Sequence, residues 1–152
     1  MRAIPVDPPQ LVTIVNLPED MARNPLWTEH APLVVRQMAG ICQEDCFQAA
    51  CSDALAGDEP EYVAFRYGYA FLMLASVLEF LNLKTIGEGI VKSIGLDQSA
   101  TELLTGSEID AFKANLERRA LEAMKAYLNE AGLALLDELK PRQARVIRAG
   151  VI

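Results

Sequence analysis

Apolar residues recur along this chain at three- and four-residue steps in three long stretches, which is the period of one face of an α-helix. The first predicted helix lies near 29–55. Val34, Val35, Met38, Ile41, Cys42, Cys46 and Ala49 or Ala50 form its stripe, with Thr28 as candidate N-cap and Glu29 suited to the first turn. Gly40 weakens its middle, and Gly57-Asp58 ends it. The second, near 60–82, opens at Glu59-Pro60-Glu61, because proline fits the first helical position. From Tyr69 to Leu81 it is apolar on nearly every face and must be covered on more than one side; a neighbouring subunit is the expected source of that cover. The third, near 107–131, starts at Ser107-Glu108-Ile109-Asp110, close to a Ser-x-x-Glu capping box. Its stripe is Ile109, Phe112, Leu116, Ala120, Met124, Tyr127 or Leu128, and Ala131, with Gly132 as the terminating glycine.

Between and beyond these stretches the helical period fails. Prolines at 5, 8, 9, 18 and 25 forbid a long helix in residues 1–27, which read as an irregular N-terminal arm. Within it the β-branched run Leu11–Val15 is compatible with a short strand. Glycines at 87, 89 and 95 surround short apolar pieces between Leu83 and Gly95, predicting a small hairpin or a protruding loop. Leu96 to Gly106 reads as irregular or as one helical turn, and Leu133–Leu139 as a short apolar turn running into Pro141. The expected fold is therefore all-α: three long helices, a glycine-rich hairpin or loop, and extended N- and C-terminal arms. The expected division is an arm over 1–27, a helical domain over 28–139 and a basic arm over 140–152.

Charge changes the picture in one respect. The net charge is −7, which argues against a general phosphate binder. Residues 1–106 hold six Lys/Arg against fourteen Asp/Glu, whereas 107–152 hold eight against seven. Lys140, Arg142, Arg145 and Arg148 lie in a final segment without an acid, as if answering an acidic surface on a partner. Three cysteines suit a reducing compartment better than a disulfide framework. The longest near-apolar run is too short for a membrane span, the start of the chain does not read as a secretory signal, and the expected setting is the cytoplasm.

Chemical machinery is sparse. Cys42, Cys46 and Cys51, with His30 upstream, lack the two-residue gap that zinc sites favour, and cysteines on a helix pack well as small hydrophobes. His30 is the single histidine, so any Ser–His or Cys–His pair must use it, and at a helix start a histidine is usually solvated. Glu79 is the one acid inside the apolar helix; pairing with an arginine, with Arg66 on the same helix, is the expectation over a tuned acid. The glycines match no phosphate-binding fingerprint. No catalytic, metal or cofactor-binding residue is expected.

The order of elements over 72–131 is suggestive. Leu78-Glu79-Phe80-Leu81-Asn82-Leu83 closes the apolar helix, and Gly89-Ile90-Val91-Lys92-Ser93 forms a loop. The polar bridge Asp97–Leu104 follows, and then the helix from Ser107 through Ala131 with Leu116-Glu117-Arg118-Arg119-Ala120. This arrangement resembles the small head–tail connector (adaptor) proteins of tailed bacteriophages and phage-derived particles. The resemblance implies a non-enzymatic helical protomer of the virion, made in the host bacterial cytoplasm. It would form a ring of its own copies between portal and tail or neck proteins, with DNA passing through an acidic bore without specific binding. Ile86, Ile90 and Val91 in the loop, and Arg142, Arg145, Val146, Ile147, Arg148, Val151 and Ile152 in the tail, are the expected subunit contacts. The alternative is a helical small-molecule-binding or regulatory domain whose pocket is lined by Tyr62, Phe65, Tyr67, Tyr69, Phe71 and Phe80.

Overall fold

The computed structural model describes residues 6–52, 58–84 and 106–140, without the side chains at 79, 81–84, 106 and 107. These residues are mostly helical. In chain order they form α1 (Pro8–Ile14), α2 (Leu26–Glu29), α3 (Ala31–Ile41), α4 (Glu44–Cys51), α5 (Pro60–Lys84), α6 (Gly106–Ala123) and α7 (Glu130–Leu139). Short 3-10 turns lie at Glu19–Arg23 and Lys125–Tyr127. Among the described residues there is no strand beyond a single bridge between Cys42 and Leu128, and no helix is long and apolar enough to cross a membrane. The expected hairpin or loop at Thr85–Ile94 and the tail at 141–152 lie outside the described residues.

The N-terminal segment departs from its expected form. Leu11–Ile14 is helix with Val15 as its C-cap, not strand. Pro8 and Pro9 occupy the first helical turn, where a missing N–H costs nothing, and Asn16 takes the left-handed conformation (φ 59) that closes the helix. The Leu17 amide then donates to Val12 O and the Asn16 amide to Thr13 O. This local geometry, together with burial of Leu11, Val12 and Val15 on one face, outweighs β propensity. Residues 6–27 share the main core through Val6, Leu17, Met21 and Trp27, whose indole N–H donates to Met21 O at 2.6 Å.

The predicted helix at 29–55 is two helices. Thr28 does not cap it; α3 begins after His30 with Pro32 in its first turn, and Cys42 is extended (φ −103, ψ 155). The predicted third helix is likewise broken. It starts at Gly106, so Ser107 falls inside it, and it ends at Ala123, while Gly132 lies within α7 rather than terminating α6. The two breaks meet. Gln43 N–H donates to Tyr127 O at 2.8 Å and Asn129 N–H to Ile41 O at 3.0 Å. The Asn129 side chain caps α7 by accepting from Gly132 N–H at 2.9 Å, and its amide donates to Gly40 O at 3.0 Å and Cys42 O at 3.2 Å. A Cβ at Gly132 would collide with the Ile41 carbonyl, which fixes glycine here.

Helix α5 starts at Pro60 as predicted and rises about 37 Å over its length. Tyr69, Ala70, Met73, Val77 and Leu78 are buried on different sides of it. The cover expected from a neighbour comes, over this stretch, from the same chain: α1, α2, α3, α4 and α6 all pack on α5. Gly68 of α5 faces Met124 just after α6, while Ser76 faces Lys113 and Glu117, so α5 and α6 run antiparallel. Phe47 and Tyr127 flank Phe65 at ring separations of 5.9 and 5.6 Å, tying α4 and the second 3-10 turn to the same helix.

Asn129→Ala removes one cap and leaves two carbonyls short of a donor, so it should lower unfolding free energy by about 2 kcal/mol in urea titration. Gly132→Ala should cost about 1–3 kcal/mol through overpacking against backbone that cannot move aside. A loss below half of that for both variants would show that the junction does not hold the fold.

Candidate functional site

From their meeting point near Cys42 and Met124, α3 and α6 run back along α5 and leave a cleft between them. Leu72 and Ser76 of α5 form its floor, Leu33, Arg36 and Gln37 of α3 one wall, and Lys113 and Glu117 of α6 the other. Its volume is about 370 Å³. That is the low end of the range in which small ligands bind. Among the described residues, Arg36, Lys113 and Glu117 make no ion pair; the pairs present there are Arg118–Glu122 and Lys140–Asp137. A second hollow of about 400 Å³ lies between α1 and the first 3-10 turn, lined by Val12, Thr13, Glu19 and Arg23 among others.

His30 stands beside Ser76 of the cleft floor. Its Nδ1 and the Ser76 hydroxyl are hydrogen-bonded at 2.9 Å, and its ring meets Phe80 edge-on at 5.4 Å. The histidine is half-buried in this contact, not simply solvated as its place at a helix start suggested. A Ser–His contact invites a catalytic reading, but two parts of that machinery are missing among the described residues. No carboxylate hydrogen-bonds the imidazole. Ser76 also sits in the middle of an unbroken helix, whose backbone N–H groups are engaged along the helix and cannot form an oxyanion hole.

The cysteines are free and scattered across different local structures. Cys42 lies in the extended break rather than sharing a helical face with Cys46, and its Sγ lies 4.0 Å from Met124 Sδ. Burial pushes its thiol up to about 12, with Cys46 and Cys51 adding to the shift. Burial, then the Glu61 and Asp45 carboxylates, also raise Cys46, and burial raises Cys51. Among the described residues no group of His, Cys, Asp and Glu could hold a metal ion. Arg66 and Glu79 are about 20 Å apart along α5, which excludes the expected pairing between them. The Arg66 guanidinium instead sits over the Tyr62 ring, 5.6 Å from its centroid.

Of the aromatic residues expected to line a pocket, Tyr62, Phe65 and Tyr69 are buried in the core, and none of the six lines the cleft. The expected contact residues Ile86, Ile90, Val91, Arg142, Arg145, Val146, Ile147, Arg148, Val151 and Ile152 all lie outside the described residues. The cleft leaves no signal in the sequence pattern, because Leu33, Arg36 and Gln37 sit off the main α3 stripe and Ser76 is one polar position in an apolar helix. Comparison of the chain with family models, with curated proteins and with solved structures gives no match.

The Cys42 thiol supplies a pH test. Ionising near 9.0 when unfolded and near 12 when folded, it contributes stability that is intact below 9 and lost as pH rises through that window. The thermal midpoint should therefore fall more steeply above pH 9 in the native chain than in Cys42→Ala. In a Cys46→Ala, Cys51→Ala background, the remaining thiol should resist an aromatic disulfide reagent at pH 8, where roughly one part in ten thousand is thiolate, and react once the chain unfolds. Rapid labelling of the folded chain would mean that the break at Cys42 is open.

Proposed function

We propose that this chain is a structural subunit of a phage head–tail connector ring, joining portal to tail and lining a DNA channel, and that it acts by packing against other protein chains rather than by catalysis. The observation that carries the assembly part is its outward-facing large apolar side chains. Leu33 is 55% exposed and Tyr67 45%, and Val63, Phe80 and Leu133 are also exposed, on a chain whose core is otherwise well filled. Tyr67 and Phe71, one turn apart on α5 with rings at 6.2 Å, extend from Val63 as an aromatic ridge. Contiguous apolar surface of this kind marks contact with other macromolecules. The connector part rests on the resemblance over 72–131, with its apolar helix followed by a long helix, and on a net charge of −7 suited to a bore that does not hold DNA. A second reading, a helical small-molecule-binding or regulatory domain, has the α3–α5–α6 cleft in its favour.

Mass photometry and negative-stain imaging test the first reading. The full chain should form rings of defined stoichiometry with a central channel, alone or with portal and neck proteins. Tyr67→Lys with Phe80→Lys should lower the assembled fraction at least tenfold while leaving the chain folded, since both residues are nearly half exposed and lie outside the core. Deleting residues 141–152 should leave a folded protomer that assembles poorly, because Arg142, Arg145 and Arg148 would meet carboxylates of a neighbour. A chain that stays monomeric with every candidate partner, or a truncation that assembles normally, would end this reading.

A further inference from the structure

We infer that the cleft between α3, α5 and α6 binds a small amphiphilic monoanion, a carboxylate on an aliphatic body. The inference rests on the cleft and not on assembly; Leu33 belongs to both surfaces, so a neighbour seated on it would compete with the ligand. Leu72 on the cleft floor and Leu33 on one lip give it an apolar side, and its volume of about 370 Å³ fits a chain of medium length. Arg36 and Lys113 stand on opposite walls. Two cations, Arg36 and Lys113, against the single carboxylate of Glu117 leave the cleft one net positive charge. Arg36 has no carboxylate partner among the described residues, on a chain with an excess of acids. A guanidinium offers a fork of donors that matches a carboxylate in two-point contact, and the Ser76 hydroxyl on the floor adds a neutral polar contact. A cationic ligand would meet Arg36 unfavourably, and a neutral one would leave it unused; a monoanion satisfies it. An aliphatic body on Leu33 and Leu72 removes apolar surface from water at the same time.

The test is calorimetric titration of the full chain with decanoate below its micelle concentration, at low salt. One saturable site per chain is expected, weakened at least tenfold in Arg36→Glu and largely retained in Arg36→Lys. Decanol should bind at least tenfold more weakly than decanoate, and Leu133→Ala, an exposed apolar position on α7 away from the cleft, should bind decanoate as the native chain does. Arg36 is exposed, so its variants are expected to fold, and their circular dichroism and thermal midpoints check this directly. Absence of saturable binding would overturn the inference, as would equal affinity in Arg36→Glu or equal affinity for decanol. Co-sedimentation with phosphatidylglycerol vesicles in place of decanoate binding would make the partner a bilayer and overturn it as well.

Discussion

Two interruptions of helix, at Cys42 and at Leu128, are joined by Asn129. Each interruption strands backbone groups that a continuous helix would satisfy, and stranded groups near a core are costly. The extended pairing of Cys42 with Leu128 recovers part of that loss, and one asparagine side chain recovers more by capping α7 and donating to two carbonyls at the end of α3. Gly132 lets the Ile41 carbonyl come close enough for this to happen. The junction also fixes where α3 and α6 come together, and so where they part to leave the cleft.

Helix α5 gives the junction something to close over. A helix apolar on nearly every face has to be surrounded, and here the chain surrounds it by breaking its other segments into short helices that approach from several directions. Three long helices could cover only part of such a surface. The N-terminal segment supplies the rest, with Leu11, Val12, Trp27 and their neighbours in the same core. Among the described side chains of α5, the large apolar ones that stay exposed are Val63 and Tyr67 near its start and Phe80 near its end, beside His30.

This distribution separates two surfaces with different physics. The ridge at Val63, Tyr67 and Phe71 is apolar and aromatic and offers area. The cleft offers less area but a fixed charge, with Arg36 beside Leu33 and Gln37 on one wall and Lys113 and Glu117 on the other. Protein partners use the first kind of surface, and small charged ligands use the second. The His30–Ser76 contact lies beside the cleft but has neither an orienting carboxylate among the described residues nor free backbone donors, so it reads as a polar fastening between the α2–α3 junction and α5.

The helical class, the start of α5 at Pro60, and the buried stripes Val34–Met38–Ile41 and Leu116–Ala120–Met124 were legible in the sequence, because each depends on neighbours within a turn or two. The Pro-Pro start and Asn-Leu-Pro end of α1 are legible too, although the β-branched residues between them favour a strand. The splits at Cys42 and Ala123 were not. Both segments keep helical spacing across the break, and what interrupts them is a partner 87 residues away, Asn129 on Cys42. The cleft was hidden for the same reason. Leu33, Ser76 and Lys113 come from three helices, and no local pattern records that they face one another. Periodicity is set by local sterics and solvent, so the sequence alone determined that the segments of α3, α5 and α6 are helical and which of their faces are buried. Where helices stop and which side chains share a cleft depend on long-range backbone pairing, which only the tertiary structure decided.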